Sequence, residues 1–162
     1  MPASAPILRP ETLDPARIVV GKPGIREWVP QRHEFEMLDG IVHYDEAALV
    51  AAAVKTLDAD QFWVRGHIPG RPLFPGVLMI ESAAQLCCYL FCRRTQEKRR
   101  FFAFGGVSEV RFRGVVKPGD TILLMARAQK VRSNLGVFET QAFHGDSMVY
   151  EGLITGMVLP GS

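Results

Sequence analysis

The 162-residue chain is poor in several of the features that mark particular protein classes. It has only three cysteines, Cys87, Cys88 and Cys92, all inside one apolar run. A structural zinc site needs about four ligands at suitable spacing, and no set of His or Cys partners accompanies these three. They read as buried free thiols serving as small apolar side chains, which favours a reducing, cytoplasmic setting. Charge of either sign is scarcely in excess: 19 Lys and Arg against 17 Asp and Glu leave a formal net charge of +2. That excludes the strongly basic balance of a nucleic-acid binder. Residues 1–20 carry Pro, Glu, Asp and Arg and lack an apolar core, so no signal peptide is expected. The longest apolar stretch, Val77 to Cys92, is broken by Glu81, Ser82 and Gln85. It falls short of the roughly 20 apolar residues of a membrane span and reads as a buried core helix. Neither a membrane nor a nucleic acid is expected as a partner, and no internal repeat or low-complexity tract appears.

What the chain does have is a globular balance, 48% apolar and 22% charged residues, and enough length for one domain with a sizeable core. Residues 1–30, rich in proline, read as an extended N-terminal arm with at most short structured pieces; residues 31–162 read as the domain. Two strands are expected between Phe35 and Leu57, through Met37–Val42 and Leu49–Val54, joined near Asp45-Glu46. The alanines at 51–53 leave a helix open there. Asp58 to Pro75 reads as loop, because Gly66, Pro69, Gly70, Pro72 and Pro75 forbid a continuous helix. A helix apolar around most of its circumference should run from Gly76 to about Thr95, buried on nearly every side. Strands follow: Val110–Arg113, Thr121–Val131, Val137–His144 and Met148–Val158. Turn signals at Lys117–Asp120, Ser133-Asn134 and Gly145-Asp146 separate these four. The expected class is α+β, an antiparallel sheet wrapped around one long central helix.

The chemistry concentrates between Gly66 and Gln85. His67 stands in a loop stiffened by proline and glycine, and imidazole is the side chain whose charge changes nearest neutral pH. Gly76 opens the apolar helix, where unpaired N–H groups and a partial positive charge gather; without a side chain it lets a carbonyl oxygen approach that N–H. Glu81 lies within the first two turns of the same helix, and Gln85, four residues on, shares its face. A carboxyl group in an apolar helix has a raised pKa if no cation accompanies it, which suits it to act as an acid. Each piece alone has an ordinary structural reading: a loop histidine is more often structural than catalytic, and glycine and proline usually mark turns. Together they point to a site without naming its reaction.

The segment from His67 to Gln85, with Gly70, Pro72, Pro75-Gly76-Val77, Glu81 and Ala84-Gln85 in register, resembles the 3-hydroxyacyl-acyl-carrier-protein dehydratases of bacterial fatty acid synthesis, in their single-function (FabZ) branch. The likeness extends from about Pro30 to Pro160. The branch that also isomerises its product normally has Asp where this chain has Glu81. The resemblance implies a hotdog fold and a dimer, in some cases a trimer of dimers, with His67 of one chain facing Glu81 of the other. It implies that His67 removes a proton from C2 of a 3-hydroxyacyl thioester. The N–H of Gly76, with that of Val77, binds the thioester oxygen; Glu81 protonates the departing hydroxyl; Gln85 orients Glu81. No cofactor or metal is called for. Phe62, Trp63, Phe74, Met79, Phe102 and Phe104 are candidates for lining an acyl tunnel. Two basic groups, Arg93 and Arg94 with Lys98, Arg99 and Arg100, and Arg111, Arg113, Lys117, Lys130 and Arg132, are candidates for docking an acidic acyl carrier protein. Two departures stand out: His33 replaces the tyrosine of the family's tunnel mouth, and Glu34 the proline after it. The alternatives are a hotdog acyl-CoA thioesterase and a non-catalytic acyl-carrier-binding subunit.

Overall fold

The computed structural model describes residues 2–159; residues 160–162, placed in the expected domain, lie outside the described residues. In chain order the elements are β1 (Val20–Gly21), α1 (Lys22–Arg26), β2 (Gly40–Asp45), β3 (Val50–Thr56), α2 (Phe62–Gly66), α3 (Gly76–Thr95), β4 (Phe102–Phe112), β5 (Thr121–Arg132), β6 (Leu135–His144) and β7 (Ser147–Val158). The strands form one seven-stranded sheet in the order β1-β2-β3-β5-β6-β7-β4, every pair antiparallel.

Helix α3 spans Gly76–Thr95, the range its composition predicts. Pro75 precedes its first turn without costing a hydrogen bond, Arg93 and Arg94 sit in its last turn, and Gln96 ends it in the left-handed region at φ 60°. Ala83, Leu86, Cys87, Tyr89, Leu90, Phe91 and Cys92 are fully buried, packed chiefly against β5 and β6. Each large side chain so buried stabilises the fold by about 1.5–3 kcal/mol. The helix is long and apolar enough to cross a membrane, but the sheet wraps it and the three thiols are buried with it.

The alanine run at 51–53 is strand. In β3, between β2 and β5, Ala51 and Ala53 face the helix side of the sheet and belong to the main core. Ala52 and Val54 face the other side, in a second cluster with Val42, Leu123, Met125 and Phe143. Burial on both faces erases the period-two alternation a strand normally shows. Three differences from the sequence expectation bear on the site. The first strand begins at Gly40 and leaves Met37-Leu38 before it. A five-residue helix, α2, fits between Gln61 and the first glycine of the expected loop. β4 begins at Phe102, eight residues before the expected Val110, and ends before Arg113.

The arm explains the second cluster. β1 adds to the edge of the sheet beside β2, and Ile25 and Val29 enter the main core. Further upstream Ile7, Leu8 and Leu13 pack on Val42, Ala52, Val54 and their neighbours. A polar clasp holds the arm in place. Gln141, fully buried, accepts from the Ile7 N–H at 2.8 Å and donates to the Ala5 carbonyl and Ser4 Oγ. Glu151 accepts from Ser4 N–H and Oγ and from the Arg113 guanidinium. Burial works to raise the Glu151 carboxyl, but the bonds from Ser4 and Arg113 outweigh it and hold the group below the usual carboxylate range. Deleting residues 2–13 should therefore expose an apolar patch on the sheet and lower the Tm by about 5–10 °C, with new binding of a hydrophobic dye. An unchanged melting curve would show that the arm contributes nothing to the fold.

Candidate active site

His67 follows directly on α2, where its N–H donates to the Trp63 carbonyl at 2.8 Å. Its Nδ1 lies 2.8 Å from the Leu73 carbonyl oxygen. A carbonyl only accepts, so Nδ1 carries the proton and Nε2 is left with its lone pair free to act as a base. Leu73 is tied down in turn: Phe74, next to it, donates its N–H to Val116 O at 2.8 Å and is buried edge-on against Trp63, with ring centroids 5.3 Å apart. Sequence reasoning missed Lys55, which is 3% exposed on β3. Its ammonium sits 5.9 Å from the centre of the Phe74 ring, and burial pulls its pKa down while the Asp39 charge opposes that. A lysine in a run of strand residues gives no sequence sign that it is buried beside Phe74.

His67 opens on a cavity of about 340 Å³ that also includes Phe74, Gly76, Val77, Met79 and Phe112. Leu78 and Met79 donate their N–H groups to the Pro75 carbonyl; those of Gly76 and Val77, one step earlier, have no carbonyl a turn behind them. A Cβ on Gly76 would lie 2.8 Å from the Phe112 ring. Any side chain at position 76 would displace that half-exposed ring, at the point where the helix presents its free N–H groups.

Glu81 lies on a different cavity, of about 190 Å³, with Ala84, Cys88, Phe102, Phe104 and Ile154 among its walls. Burial pushes the Glu81 carboxyl above the usual carboxylate range, and the hydrogen bond from Gln85 only partly offsets it. Gln85 is 2% exposed and its amide has one possible orientation. Its Oε1 accepts the Met37 N–H at 3.0 Å, while Nε2 donates to Phe35 O at 2.7 Å and to Glu81 Oε1 at 2.8 Å. The backbone at 35–37, in the segment that the resemblance assigns to a tunnel mouth, thus sets the direction of the group that holds Glu81. Backbone atoms carry no residue signature, so the sequence could not disclose this clamp.

The remaining candidates divide. Phe74 and Met79 join the His67 cavity, and Phe102 and Phe104 the Glu81 cavity. Phe62 and Trp63 are among the walls of neither. Phe62 is half exposed and stacks on Phe35 at 6.2 Å; Trp63 is buried in the core. Both border a third, strongly charged cavity with His33, Glu34 and Asp39, because α2 turns them toward the segment at 33–39. Arg93 is partly buried, with its guanidinium among the rings of Trp28, Tyr44 and Tyr89, at 5.1, 4.7 and 5.8 Å. Arg113 is engaged with Glu151 in the clasp, and Arg111 borders the polar cavity beside it on the outer face of the sheet. Lys98 pairs with Glu27 and Arg100 with Glu97. Arg94, Lys117, Lys130 and Arg132 are exposed.

The Glu81 environment has a consequence for stability. A native pKa raised above the unfolded value means the folded chain binds that proton more tightly, so this contribution is present at low pH and is lost as pH rises through the raised pKa. Glu81→Gln keeps an acceptor for Gln85 and removes the charge. The variant should be more stable than the parent at about pH 8, and the gap should close toward about pH 5. Denaturant melts at both values check this; a variant equally destabilised at both would contradict the burial argument.

A family model described as a FabA-like domain matches residues 29–153. The chain is 32% identical over 131 residues to the 3-hydroxyacyl-[acyl-carrier-protein] dehydratase FabZ of Natranaerobius thermophilus, a match covering 81% of this chain and 92% of the relative. It is 34% identical to the protein of the same name from Thermomicrobium roseum, over 80% and 87% of the two chains. Among solved structures it is similar to the dehydratase heterocomplex ApeI:P from Xenorhabdus doucetiae, with a TM-score of 0.71 at 14% identity, covering 85% of this chain and 91% of that one. It is also similar to the E. coli PaaI protein from the phenylacetic acid degradation operon, with a TM-score of 0.56 at 16% identity over 72% and 80%. At such identities the structural likeness concerns the fold alone, a hotdog sheet around its helix. The chain belongs to the FabA-like family, among the FabZ-type 3-hydroxyacyl-acyl-carrier-protein dehydratases that its residues from His67 to Gln85 resemble.

Proposed function

We propose that the chain catalyses the reversible dehydration of a 3-hydroxyacyl thioester on acyl carrier protein, giving a trans-2-enoyl thioester and water, in fatty acid or related lipid biosynthesis. His67 Nε2 takes the proton from C2. Negative charge moves onto the thioester oxygen, where the N–H groups of Gly76 and Val77 receive it; one such donor is commonly worth about 3–4 kcal/mol in the transition state. The C3–oxygen bond breaks as Glu81, protonated in its apolar setting, delivers its proton to the hydroxyl. The His67 proton then returns the pair to its starting state by way of solvent.

The observation that supports this reading is the division of the machinery. The base and the free N–H groups border one cavity and the acid another, and strand β4 runs between them, with Phe104 at the Glu81 end and Phe112 at the His67 end. β4 is an edge strand, and it exposes Phe104, Val107 and Phe112, with the exposed Val77 and Val115 bordering the same cavity as Phe112. An exposed apolar edge of this kind is a pairing surface. A second copy laid antiparallel along it, about a twofold near Ser108, brings the Phe112 end of each chain to the Phe104 end of the other. Each dimer would then hold two complete sites, each with His67 from one chain and Glu81 from its partner. The exposed Arg94, Arg99, Lys117, Lys130 and Arg132 are cations available to steer an acidic carrier protein, and the buried thiols favour a cytoplasmic setting.

Hydration of an enoyl thioester, followed by loss of its near-ultraviolet absorbance, tests the reaction. His67→Ala and Glu81→Gln should each lower kcat by about a hundredfold or more while leaving the fold intact. Near-parental turnover in either variant would remove that residue from its role, and release of free thiol without hydration would identify a thioesterase.

A further inference from the structure

The cavity beside Glu81 has a direction. Glu81, Ala84 and Cys88, spaced by three and four residues, form a stripe along α3 that advances about 10 Å toward the C-terminus of the helix. One turn further on, Phe91 stacks on Phe102, with ring centroids 4.1 Å apart and planes within 14°. The far side of the Phe102 ring meets the sheet, where Gly136 of β6 and Gly156 of β7 are paired across the ladder. A Cβ on Gly156 would overlap that ring, and one on Gly136 would lie 3.0 Å from it. Phe138 closes the remaining side edge-on at 6.3 Å. Two facing glycines thus make a hollow in the sheet, and one aromatic ring fills the gap between that hollow and the helix.

We propose that Phe102 is the closed end of the acyl pocket and sets the longest acyl chain the site accepts. The inference rests on the reading above, in which C3 of the substrate stands at Glu81 and the chain runs along the Ala84–Cys88 stripe. An extended chain advances about 3.5 Å per three bonds, so the stripe holds roughly eight carbons beyond C3, a substrate of about ten to twelve carbons. The two glycines take part in the same limit, since any side chain at Gly156 drives the ring into the pocket.

The test is the chain-length profile of kcat/KM for enoyl-thioester hydration, from about four to about sixteen carbons. The quantity read is the ratio of long-chain to short-chain kcat/KM within each protein. For the parent the ratio should fall at least about tenfold across two carbons near the limit. Phe102→Ala should move that fall to chains longer by two carbons or more, and Phe102→Leu should move it the same way by less. Gly156→Ala should move it toward shorter chains. Should Phe102→Ala fail to fold, the Leu and Gly156 variants still give opposite shifts. A profile that stays in place in folded variants overturns the role of Phe102 and leaves the dehydratase reading intact. A parent that hydrates no chain length at all overturns the dehydratase reading itself.

Discussion

The site depends on how unevenly α3 is covered. The sheet wraps one side of the helix with Leu, Phe, Tyr and Cys side chains that are fully buried, while its first turn and the stripe through Glu81 face open space. Burial fixes the axis of the helix, and the axis fixes both chemical ends of the site. At the N-terminus, free N–H groups are aimed by the peptide bonds themselves, at no cost of reorganisation during the reaction. Along the open stripe, a carboxyl group is held in surroundings apolar enough to favour its neutral form. A helix in contact with water all round could supply neither.

That arrangement trades stability for chemistry. Glu81 resides where ionisation is unfavourable, and Gln85 is fully buried with every polar atom committed. The strand edge that would complete the site keeps large apolar side chains exposed in the single chain. Stabilising features lie elsewhere: the α3 core, and the arm clasped over the opposite face of the sheet by Gln141 and Glu151. The face that carries the proposed site is left open while the reverse face is sealed.

Much of this was legible in the residues. The bounds of α3 follow from Pro75, a continuous apolar run and the polar residues after Thr95, and the last three strands follow from strong turn signals. His67, Gly76, Glu81 and Gln85 stand out because each has a chemistry suited to its local position. What escaped is what only tertiary contact decides. β4 hides its start because an exposed edge strand with Gly105 and Gly106 shows no alternation. β3 looks ambiguous because the arm buries its second face. Arg93 resembles a surface cation until three aromatic rings from separate elements close on it. From spacing alone His67 and Glu81 belong to one site, whereas within one chain they border separate cavities; the proposal that two chains share them rests on the family resemblance and on the exposed edge of β4.

The most direct measurement is complementation between two inactive proteins. His67→Ala and Glu81→Gln chains, co-expressed with different tags and purified as mixed dimers, should recover enoyl hydration. Each mixed dimer carries one site with both residues intact and one with neither, so the purified mixed dimers should reach about half of the parental activity. Mixed dimers as inactive as either variant alone would contradict a site built from His67 of one chain and Glu81 of the other.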